Sequence, residues 1–490
     1  MKTFLIIPMG GKGQRFLASG YKVYKPFLKI SKNVRIIDGI IKNFDFKKTE
    51  IIIIGNANRI KKKDLNFKSK FHFINIANHK FGPLYSVYLA KEKVKSIVRQ
   101  NNCFICYSDI NWKWNFDKVK NYIKNKQAVI FTHTGFHPHL EINSKSDFCL
   151  IKKDTIQDIR EKKLFNLDYK KNFLAIGCYY FNSFDLVEKF MNFFEKNKKI
   201  NKEFYLVSLI KHLIKKKIKV NYFNIKNFVH LGVPSQYEDF RNWKSLLVDS
   251  FNSSLNLNNK NIMLMAGKGK RIKSLNKKKP YLKIREKNIY EYIFEKYGTK
   301  KNYILTNKNY ISGLKKKYKI YNIGRSNSML QTIEKSDLFI KDKKNYFLSS
   351  CDCFGNFNKN EFIKFKKNKK PDVILFAYKF TDLQKKLTNS HTTLDFKKEK
   401  LSSISVKSNS EKNIFGHAGF FWIKDHRVFN FINKFKKSFK YKREVLVDDY
   451  FKYLFDNKKL VVECHKLSNY VHIGSIKEYN ELKYWEEYFI

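Results

Sequence analysis

The chain has 490 residues, more than one hydrophobic core usually serves, so its length favours two or more domains. Its 100 lysines and arginines outnumber 43 aspartates and glutamates and give a formal net charge of +57. We expect no specific nucleic-acid partner, because no recognition motif accompanies the charge and many lysines, as in 211–219, fall on predicted helix surfaces. No apolar run approaches the roughly 20 residues of a membrane span, and the seven cysteines form no zinc-ligand pattern. We therefore expect a cytoplasmic protein.

The first predicted element is a strand that runs into a glycine-rich turn. The apolar run 4–9 is followed by three glycines, by Arg15 and by Lys25. Backbone N–H groups in such a turn can approach phosphate oxygens, while Arg and Lys supply the charge that a polyphosphate needs. The candidate phosphate-binding glycines are Gly10, Gly11 and Gly13.

Short apolar runs then alternate with amphipathic stretches. The predicted strands are 51–54, 71–76, 103–107 and 128–131, and the predicted helices are 84–95 and 184–194. This alternation favours an α/β domain with a mostly parallel sheet flanked by helices. Ligands of such sheets bind beyond the carboxyl ends of the strands, where the turn and Asp109 would both lie.

The second half of the chain repeats the arrangement. A strand at 262–265 leads into Ala266, Gly267 and Gly269, with Arg271 and Lys279 after them. An offset of 242 residues relates Gly82 to Gly324, Ser86 to Ser328, Gly177 to Gly419, and His230 to His472, and an offset of 243 relates Asp109 to Asp352. The repeat predicts two tandem copies of one domain, at 1–248 and 261–490, joined by a linker at 249–260.

The turn differs from two common nucleotide motifs. It lacks the third glycine of the dinucleotide fingerprint, since Phe16 and Ile272 stand there, and no GxxxxGK[ST] P-loop occurs. The sequence GKGQRF at 11–16, followed by KP at 25–26, resembles the sugar-phosphate nucleotidyltransferases, also called nucleotide-sugar pyrophosphorylases. Residues 8–21 resemble a subgroup found with capsule and lipopolysaccharide genes. The resemblance implies two tandem Rossmann-like domains of the nucleotide-diphospho-sugar transferase fold.

The resemblance also implies roles on the nucleotide side. Arg15 would hold the β- and γ-phosphates of a nucleoside triphosphate (NTP), and Lys25 the α-phosphate. Asp109 would hold Mg²⁺, the expected cofactor. Gly82 and Ser86 would belong to the base-recognition loop. From the residues alone, an aspartate after a buried strand can equally cap the next helix.

On the acceptor side the resemblance covers a second group of residues. Glu161 would contact the sugar and Lys162 its phosphate, although Lys163 replaces the proline of the family pattern. Gly177 and Glu203 would complete the acceptor site. Without the resemblance, both glutamates read as ordinary surface carboxylates.

Histidines mark one departure from the family and one further loop. His230 and His472 stand where many members have a second metal-binding aspartate, so the second metal ligand is unassigned. His133, His137 and His139 lie close together in sequence, but no carboxylate or cysteine stands at metal-ligand spacing. For these three we expect a substrate-facing loop and not a metal cluster.

The second copy keeps the nucleotide side better than the acceptor side. Its candidates are Ala266, Gly267, Gly269, Gly324 and Ser328 for the nucleotide, Arg271, Lys279 and Lys407 for catalysis, Asp352 for the metal and Gly419 for the acceptor. Val406 stands where the first copy has Glu161. A changed acceptor is therefore favoured, with loss of turnover as the alternative.

The predicted reaction is nucleotidyl transfer from an NTP to a sugar-1-phosphate or related phosphorylated acceptor, with release of pyrophosphate. The product would supply surface polysaccharide synthesis. The attacking phosphate oxygen is already an anion, so Mg²⁺, Arg and Lys act by offsetting charge. The alternatives are a glycosyltransferase of the related fold and a basic protein with salt-sensitive polynucleotide affinity. The sequence leaves the nucleotide, the acceptor and the oligomeric state open.

Overall fold

The computed structural model describes residues 2–45, 47–140, 146–196, 203–257, 259–267, 269, 278–298, 301–336, 345–380, 391–407, 415–440 and 443–490. The chain divides into two compact units, Met1–Arg241 and Asn242–Ile490. The predicted linker 249–260 belongs to the second unit, where Phe251 is buried and stacks on Tyr292.

The first unit contains thirteen strands among its described residues. They are β1 (Thr3–Met9), β2 (Lys29–Ser31), β3 (Val34–Arg35), β4 (Thr49–Gly55), β5 (Phe71–Asn75), β6 (Asn102–Cys106), β7 (Ile110–Lys113), β8 (Ala128–His133), β9 (Phe148–Lys152), β10 (Thr155–Arg160), β11 (Phe173–Phe181), β12 (Val220–Asn224) and β13 (Asn227–His230). The α-helices are Gln14–Ala18, Ile36–Ile41, Pro83–Leu89, Lys91–Val98, Phe116–Ile123, Asp185–Lys196, Leu206–Lys215 and Pro234–Lys244. Short 3-10 helices span Lys25–Phe27, Lys62–Asp64 and Tyr169–Lys171.

The main sheet of the first unit has the strand order β5-β4-β1-β6-β11-β8-β12-β10-β9. The strands β5, β4, β1 and β6 are parallel, but β11 runs antiparallel to both β6 and β8, and β9 and β10 form an antiparallel hairpin. The expectation of a mostly parallel sheet is therefore wrong, because the sheet is mixed. A buried apolar run predicts that a strand is covered on both faces and carries no information about its direction.

The individual elements agree well with the sequence pattern. The four predicted strands are confirmed as β4, β5, β6 and β8. The predicted helix 84–95 is interrupted at Ala90, and the helix predicted at 184–194 is Asp185–Lys196. Apolar side chains of the sheet, such as Ile6 and Ile52, pack against helix residues such as Val87 and Val94, and all four are fully buried.

The second unit also has thirteen strands in its described part. They are β14 (Lys260–Met265), β15 (Lys283–Ile284), β16 (Lys287–Asn288), β17 (Lys301–Thr306), β18 (Lys319–Asn322), β19 (Tyr346–Ser350), β20 (Cys353–Asn356), β21 (Val373–Lys379), β22 (Thr392–Lys397), β23 (Lys400–Val406), β24 (Phe415–Ile423), β25 (Val462–Lys466) and β26 (Asn469–His472). The α-helices are Ile289–Tyr297, Lys308–Ile311, Met329–Glu334, Lys359–Lys369, Ile432–Ser438, Val447–Asp456 and Ile476–Phe489. A π-helix spans Ser245–Asp249, and 3-10 helices span Lys279–Tyr281 and His426–Phe429.

The main sheet of the second unit has the order β18-β17-β14-β19-β24-β21-β25, with the hairpin β22–β23 beside β24. When the strands of each sheet are numbered by their sequence position, this order matches the segment β5-β4-β1-β6-β11-β8-β12 of the first unit. The strand before each glycine-rich turn is central, so each turn lies at the carboxyl edge of parallel strands. Within the described ranges, none of the helices has the length and apolar character that a membrane crossing requires.

Candidate functional site

The glycine-rich turn of the first unit follows β1 and is held in place from two sides. A Cβ atom on Gly10 would lie 2.5 Å from His79 Nε2 and 2.7 Å from Ser86 Oγ, so only glycine fits there. The Tyr24 hydroxyl donates to the carbonyl oxygens of Met9, at 2.5 Å, and Gly11, at 2.9 Å. The turn therefore keeps one backbone shape before any ligand arrives.

The exposed side of the turn carries the predicted phosphate ligands. Gly11 and Arg15 are exposed, and Gly13 has a left-handed φ of 65° at the start of the helix Gln14–Ala18. Beyond this helix, Pro26 occupies the first turn of a 3-10 helix, for which its fixed φ is suited. That short helix begins at Lys25, and the Lys25 side chain extends toward Asp109.

Lys25 and Asp109 form an ion pair at the carboxyl edge of β1 and β6. Lys25 Nζ lies 2.7 Å from Asp109 Oδ2, and both side chains are about one fifth exposed. Burial alone raises the pKa of Asp109, but Lys25 and His230 lower it to about 2. Asp109 is therefore a carboxylate at every physiological pH. The sequence-predicted phosphate ligand and metal ligand thus lie side by side.

His230 approaches this pair through the small sheet formed by β7 and β13. In that sheet His230 stands opposite Ile110, the residue after Asp109. A Cβ atom on Gly232 would lie 3.1 Å from Asp109 Oδ2 and 2.4 Å from His230 Cε1. Gly232 therefore leaves room for both the imidazole of His230 and the carboxylate of Asp109.

The donor set fits Mg²⁺ only when substrate phosphates complete it. Asp109 supplies one carboxylate, and the described residues contain no group of three or more His, Cys, Asp or Glu side chains suited to a metal. Mg²⁺ usually binds one or two carboxylates together with phosphates and waters, whereas imidazole suits transition metals better. The site therefore fits an ion that arrives with a nucleotide.

The predicted base-recognition loop is fastened to the segment before the helix Leu206–Lys215. Phe204 N donates to Phe81 O at 2.7 Å, and Leu84 N donates to Phe204 O at 3.1 Å. Ser86 is 1% exposed and its hydroxyl lies 2.8 Å from His79 Nε2. Ser86 thus supports the turn at Gly10 from beneath.

Substitution of Gly82 by alanine is expected to destabilise the protein by about 1–3 kcal/mol. Gly82 has φ 83°, and a Cβ there would lie 2.6 Å from Phe204 O. Gly20 is a matched control with the same φ of 83°, because a Cβ there would have no described heavy atom within 4 Å. Urea unfolding of both alanine variants separates the clash from the backbone strain. Equal losses of stability in the two variants would contradict the expected clash.

The predicted acceptor residues of the first unit come together around two tyrosines. Lys162 Nζ lies 3.4 Å from Glu161 Oε1 and 5.1 Å from the centre of the Tyr205 ring. The Tyr205 hydroxyl donates to Glu203. These contacts join both predicted carboxylates and the predicted lysine in one cluster.

Gly177 provides room for the second tyrosine. A Cβ atom on Gly177, whose φ is 92°, would lie 2.7 Å from the Tyr107 ring. The Tyr107 hydroxyl accepts from Leu206 N at 3.1 Å. Tyr107 therefore links the strand end that carries Asp109 to the acceptor cluster.

Sequence reasoning did not identify Asp147 as part of this cluster. Burial and Glu161 raise the pKa of Asp147 to about 6, against the opposing effect of Lys162 and Lys211. The raised pKa reflects mainly the burial of this carboxyl group and, second, the negative charge of Glu161. No sequence motif surrounds Asp147, so only its position directly before β9 could have indicated a role in the cluster.

The three histidines at the end of β8 and in the loop that follows it are buried. His133, His137 and His139 are 3%, 1% and 6% exposed, and His139 Nε2 lies 2.9 Å from Asp239 Oδ2. Burial and the neighbouring histidines lower the pKa of His137 well below its usual value. The expectation that these side chains face a substrate is therefore wrong, because their neighbours in the fold cover them.

The second unit builds the same cation and carboxylate pair. Lys279 forms an ion pair with Asp352, and Gly269 has φ 58°. Ala266 O accepts from Ser326 N at 3.3 Å, and the Ser328 hydroxyl accepts from Gln331 N. Arg271 lies outside the described residues.

The remaining candidates of the second unit lie as follows. Gly267 and Gly324 are exposed, and Gly324 has φ 69°. Gly419 has φ 72°, and a Cβ there would lie 3.2 Å from Cys353 Sγ. Lys407 is exposed and has φ 48°, close to the φ of 53° at Lys162. The two lysines therefore have a similar positive φ after corresponding strands.

The histidine of the second unit makes closer contacts than its counterpart. His472 Nε2 lies 3.3 Å from Asp352 Oδ2, and His472 Nδ1 lies 2.7 Å from Glu478 Oε1. In the first unit His230 Nδ1 lies 2.9 Å from Gln236, a neutral residue. Burial alone lowers the pKa of His472, but Asp352 and Glu478 raise it to about 9.

The pKa of His472 predicts a pH-dependent stability. Because its folded pKa of about 9 exceeds the ordinary value of 6.5, its contribution is fully present below pH 6.5 and is lost as the pH rises through 9. Glu478→Gln gives His472 the neutral neighbour that His230 has in the first unit. The loss of unfolding free energy between pH 6.5 and 9 should therefore be smaller in this variant. Urea unfolding followed between pH 6.5 and 9.5 checks it, with Gln236→Glu as the reciprocal variant. An unchanged slope in Glu478→Gln would contradict the assignment.

Comparison with known proteins gives one family match. A sequence model of the family described as "Nucleotidyl transferase" matches residues 5–249. None of the curated proteins compared with the sequence matches it.

Several solved structures are similar to about half of the chain. A nucleoside-diphosphate-sugar pyrophosphorylase from Vibrio cholerae is 18% identical over 48% of this chain and 99% of its own, with a TM-score of 0.40. A UTP-bound UGPase from Acinetobacter baumannii is 15% identical over 50% and 94%, with a TM-score of 0.40. An inositol-1-phosphate CTP transferase from T. maritima is 13% identical over 49% and 95%, with a TM-score of 0.38.

Proposed function

The chain belongs to the nucleotidyl transferase family, and we propose that its first unit transfers a nucleotidyl group from an NTP to a phosphorylated acceptor, releasing pyrophosphate. The observation that carries the proposal is the Lys25–Asp109 pair, 2.7 Å apart beside an exposed glycine-rich turn. A cation and a carboxylate at this edge of the sheet suit a polyphosphate and its counterion.

The reaction needs little covalent work from the protein. A phosphate oxygen of the acceptor attacks the α-phosphorus, a new P–O bond forms, and the bond to the bridging oxygen breaks as pyrophosphate leaves with the electron pair. Lys25, already at the strand edge, would turn from Asp109 to the α-phosphate. Arg15 and the N–H groups of the turn would hold the β- and γ-phosphates. Mg²⁺, held by Asp109, would offset the charge that grows on the leaving group.

The acceptor would bind at the cluster around Tyr107 and Tyr205. Lys162 would neutralise its phosphate, and Glu161 and Glu203 would accept hydrogen bonds from hydroxyl groups. A sugar-1-phosphate has both features, so we propose sugar-1-phosphates or related hydroxylated phosphomonoesters as acceptors. Their activated products would serve surface polysaccharide synthesis.

We propose further that the second unit is a tandem copy with a different acceptor. Its strand order, its glycine turn and its Lys279–Asp352 pair support a common architecture. Val406 stands in the place of Glu161 and cannot accept a hydrogen bond from a sugar hydroxyl. A wrong acceptor that leaves a carboxylate unpaired costs about 1–3 kcal/mol, so the two units should differ in acceptor profile.

The test is pyrophosphate release from each of the four NTPs and dTTP against a panel of sugar-1-phosphates and other phosphomonoesters. Release that requires both substrates supports the proposal. Sugar transfer from a nucleotide-diphospho-sugar without pyrophosphate release would favour a glycosyltransferase instead. Salt-sensitive polynucleotide binding with no release would favour a basic binding protein.

A further inference from the structure

The first unit contains a cavity between the helices Asp185–Lys196 and Leu206–Lys215, which we call the interhelix cavity. Its volume is about 460 Å³, within the range of pockets that hold small molecules. Among the described residues, none of the candidate nucleotide, metal or acceptor residues lines it. The residues that do line it are Leu186, Lys189, Asn192, His212, Leu213, Lys216 and Ile218.

The interhelix cavity has an apolar floor and a cationic rim. Leu213 is 1% exposed, and the partly buried Leu186 and Ile218 pack against the same apolar core. Lys189 and Lys216, one on each side, are exposed. Apolar surface and positive charge are therefore presented together, at one opening.

The two rim lysines are not neutralised by the protein. Within the described ranges, the structure records no ion pair for Lys189 or Lys216, and no carboxylate lines the cavity. The segment 204–237, which supplies one wall, contains neither Asp nor Glu. An anion in the cavity would thus meet cations without competing with a carboxylate for them.

The acids of the other wall are used on a different side of their helix. Glu188 Oε1 lies 2.8 Å from Lys95 Nζ, and Glu195 Oε1 lies 2.7 Å from Lys91 Nζ. Glu188 and, to a smaller extent, Asp185 raise the pKa of Lys95. The carboxylates of the helix Asp185–Lys196 therefore serve the preceding helix, Lys91–Val98, and leave the cavity side positive.

His212 connects the floor of the cavity to its rim. Its ring centre lies 5.3 Å from that of Phe190, which is 6% exposed. Burial lowers the pKa of His212, and the charges of Lys216 and Lys215 lower it further. The wall of the cavity thus lies in a positive potential, which favours a negatively charged occupant.

We propose that the interhelix cavity is a second ligand site that binds an anionic amphiphile, meaning a phosphate monoester or similar anion carried by an apolar chain. The anion would lie between Lys189 and Lys216, which act as point charges, and the chain would cover the apolar floor. The site goes beyond nucleotidyl transfer and does not depend on it. Such an amphiphile has two possible sources, a free metabolite and a lipid of an anionic bilayer.

The test is calorimetric titration of the full chain with dodecyl phosphate below its micelle concentration. Methyl phosphate and dodecyl maltoside, which each keep only one half of the amphiphile, should bind at least about tenfold more weakly. Lys189→Met with Lys216→Met should weaken dodecyl phosphate about 10- to 100-fold, because two charge-assisted contacts are lost. Asn192→Trp, at an exposed lining position, should also weaken it by filling the cavity.

The matched control is Lys215→Met with Lys219→Met, which removes two exposed charges from the same region without altering the lining. It should change the affinity by less than about threefold, since exposed charges are largely screened at physiological salt. Thermal unfolding of each variant shows that the fold is kept. Equal weakening by the control pair, or dodecyl phosphate binding that survives both the rim variant and Asn192→Trp, would overturn the proposal.

Cosedimentation with phosphatidylcholine vesicles, with and without phosphatidylglycerol, separates the two sources of ligand. Binding to the anionic vesicles alone, lost in Lys189→Met with Lys216→Met, would assign the site to a bilayer lipid. Rim-dependent binding of dodecyl phosphate without vesicle binding would assign it to a free amphiphile. Either outcome upholds the site, and neither depends on whether the first unit releases pyrophosphate.

Discussion

Replacement of Asp109 by asparagine is expected to lower pyrophosphate release from the first unit by about 100- to 1,000-fold, with less than about a tenfold change in NTP affinity. The carboxylate, kept ionised by Lys25 and His230, is the charge that would hold the metal against the leaving group. Asparagine keeps the size of the side chain and removes that charge. Steady-state release measured over a range of Mg²⁺ concentrations checks the expectation.

The matched control is Asp117→Asn, since the Asp117 side chain is 83% exposed and forms an ion pair with Lys120, three residues further on. It removes one negative charge from the same unit and should leave turnover unchanged. Excess EDTA should reproduce the loss seen in Asp109→Asn. Normal turnover in EDTA, or in the asparagine variant, would exclude Asp109 from the mechanism.

Much of the fold could be predicted because a buried strand or helix requires apolar residues at characteristic local spacings. The run 51–54 consists of isoleucines, which favour a strand covered on both faces, and it is the central part of β4. The direction of β11 within the sheet has no such local sequence pattern. It depends on pairing with β6 and β8, strands that lie far away in sequence.

The candidate site divides in the same way. The glycine turn, Lys25 and Asp109 could each be singled out from sequence, because the backbone shape and the charge require particular residue types there. The ion pair between Lys25 and Asp109 could not, because it joins residues that are 84 positions apart. The burial of Ser86, His133, His137 and His139 depends on tertiary neighbours, so the sequence could not indicate it.

The two proposed nucleotide sites should be separable by substitution in the full chain. Arg15→Ala with Lys25→Ala is expected to weaken one NTP-binding event by about 100-fold or more and to spare the other, because two charge-assisted contacts to phosphate are lost. Arg271→Ala with Lys279→Ala should have the reverse effect. Calorimetry with each NTP gives the number of sites and both affinities.

The control for this last prediction addresses the overall charge of the chain. With a formal net charge of +57, removal of any two lysines weakens long-range attraction of a nucleotide. Lys22→Ala with Lys29→Ala removes two exposed charges that lie close in sequence to the glycine turn but outside it. This pair should change NTP affinity by less than about threefold at physiological salt, because exposed charges are screened beyond about 8 Å there. A single NTP bound per unmodified chain would contradict two sites. Each cation and its carboxylate belong to one unit only, so each pair of substitutions should weaken one binding event. If either pair weakened both NTP-binding events equally, the two sites would not be independent.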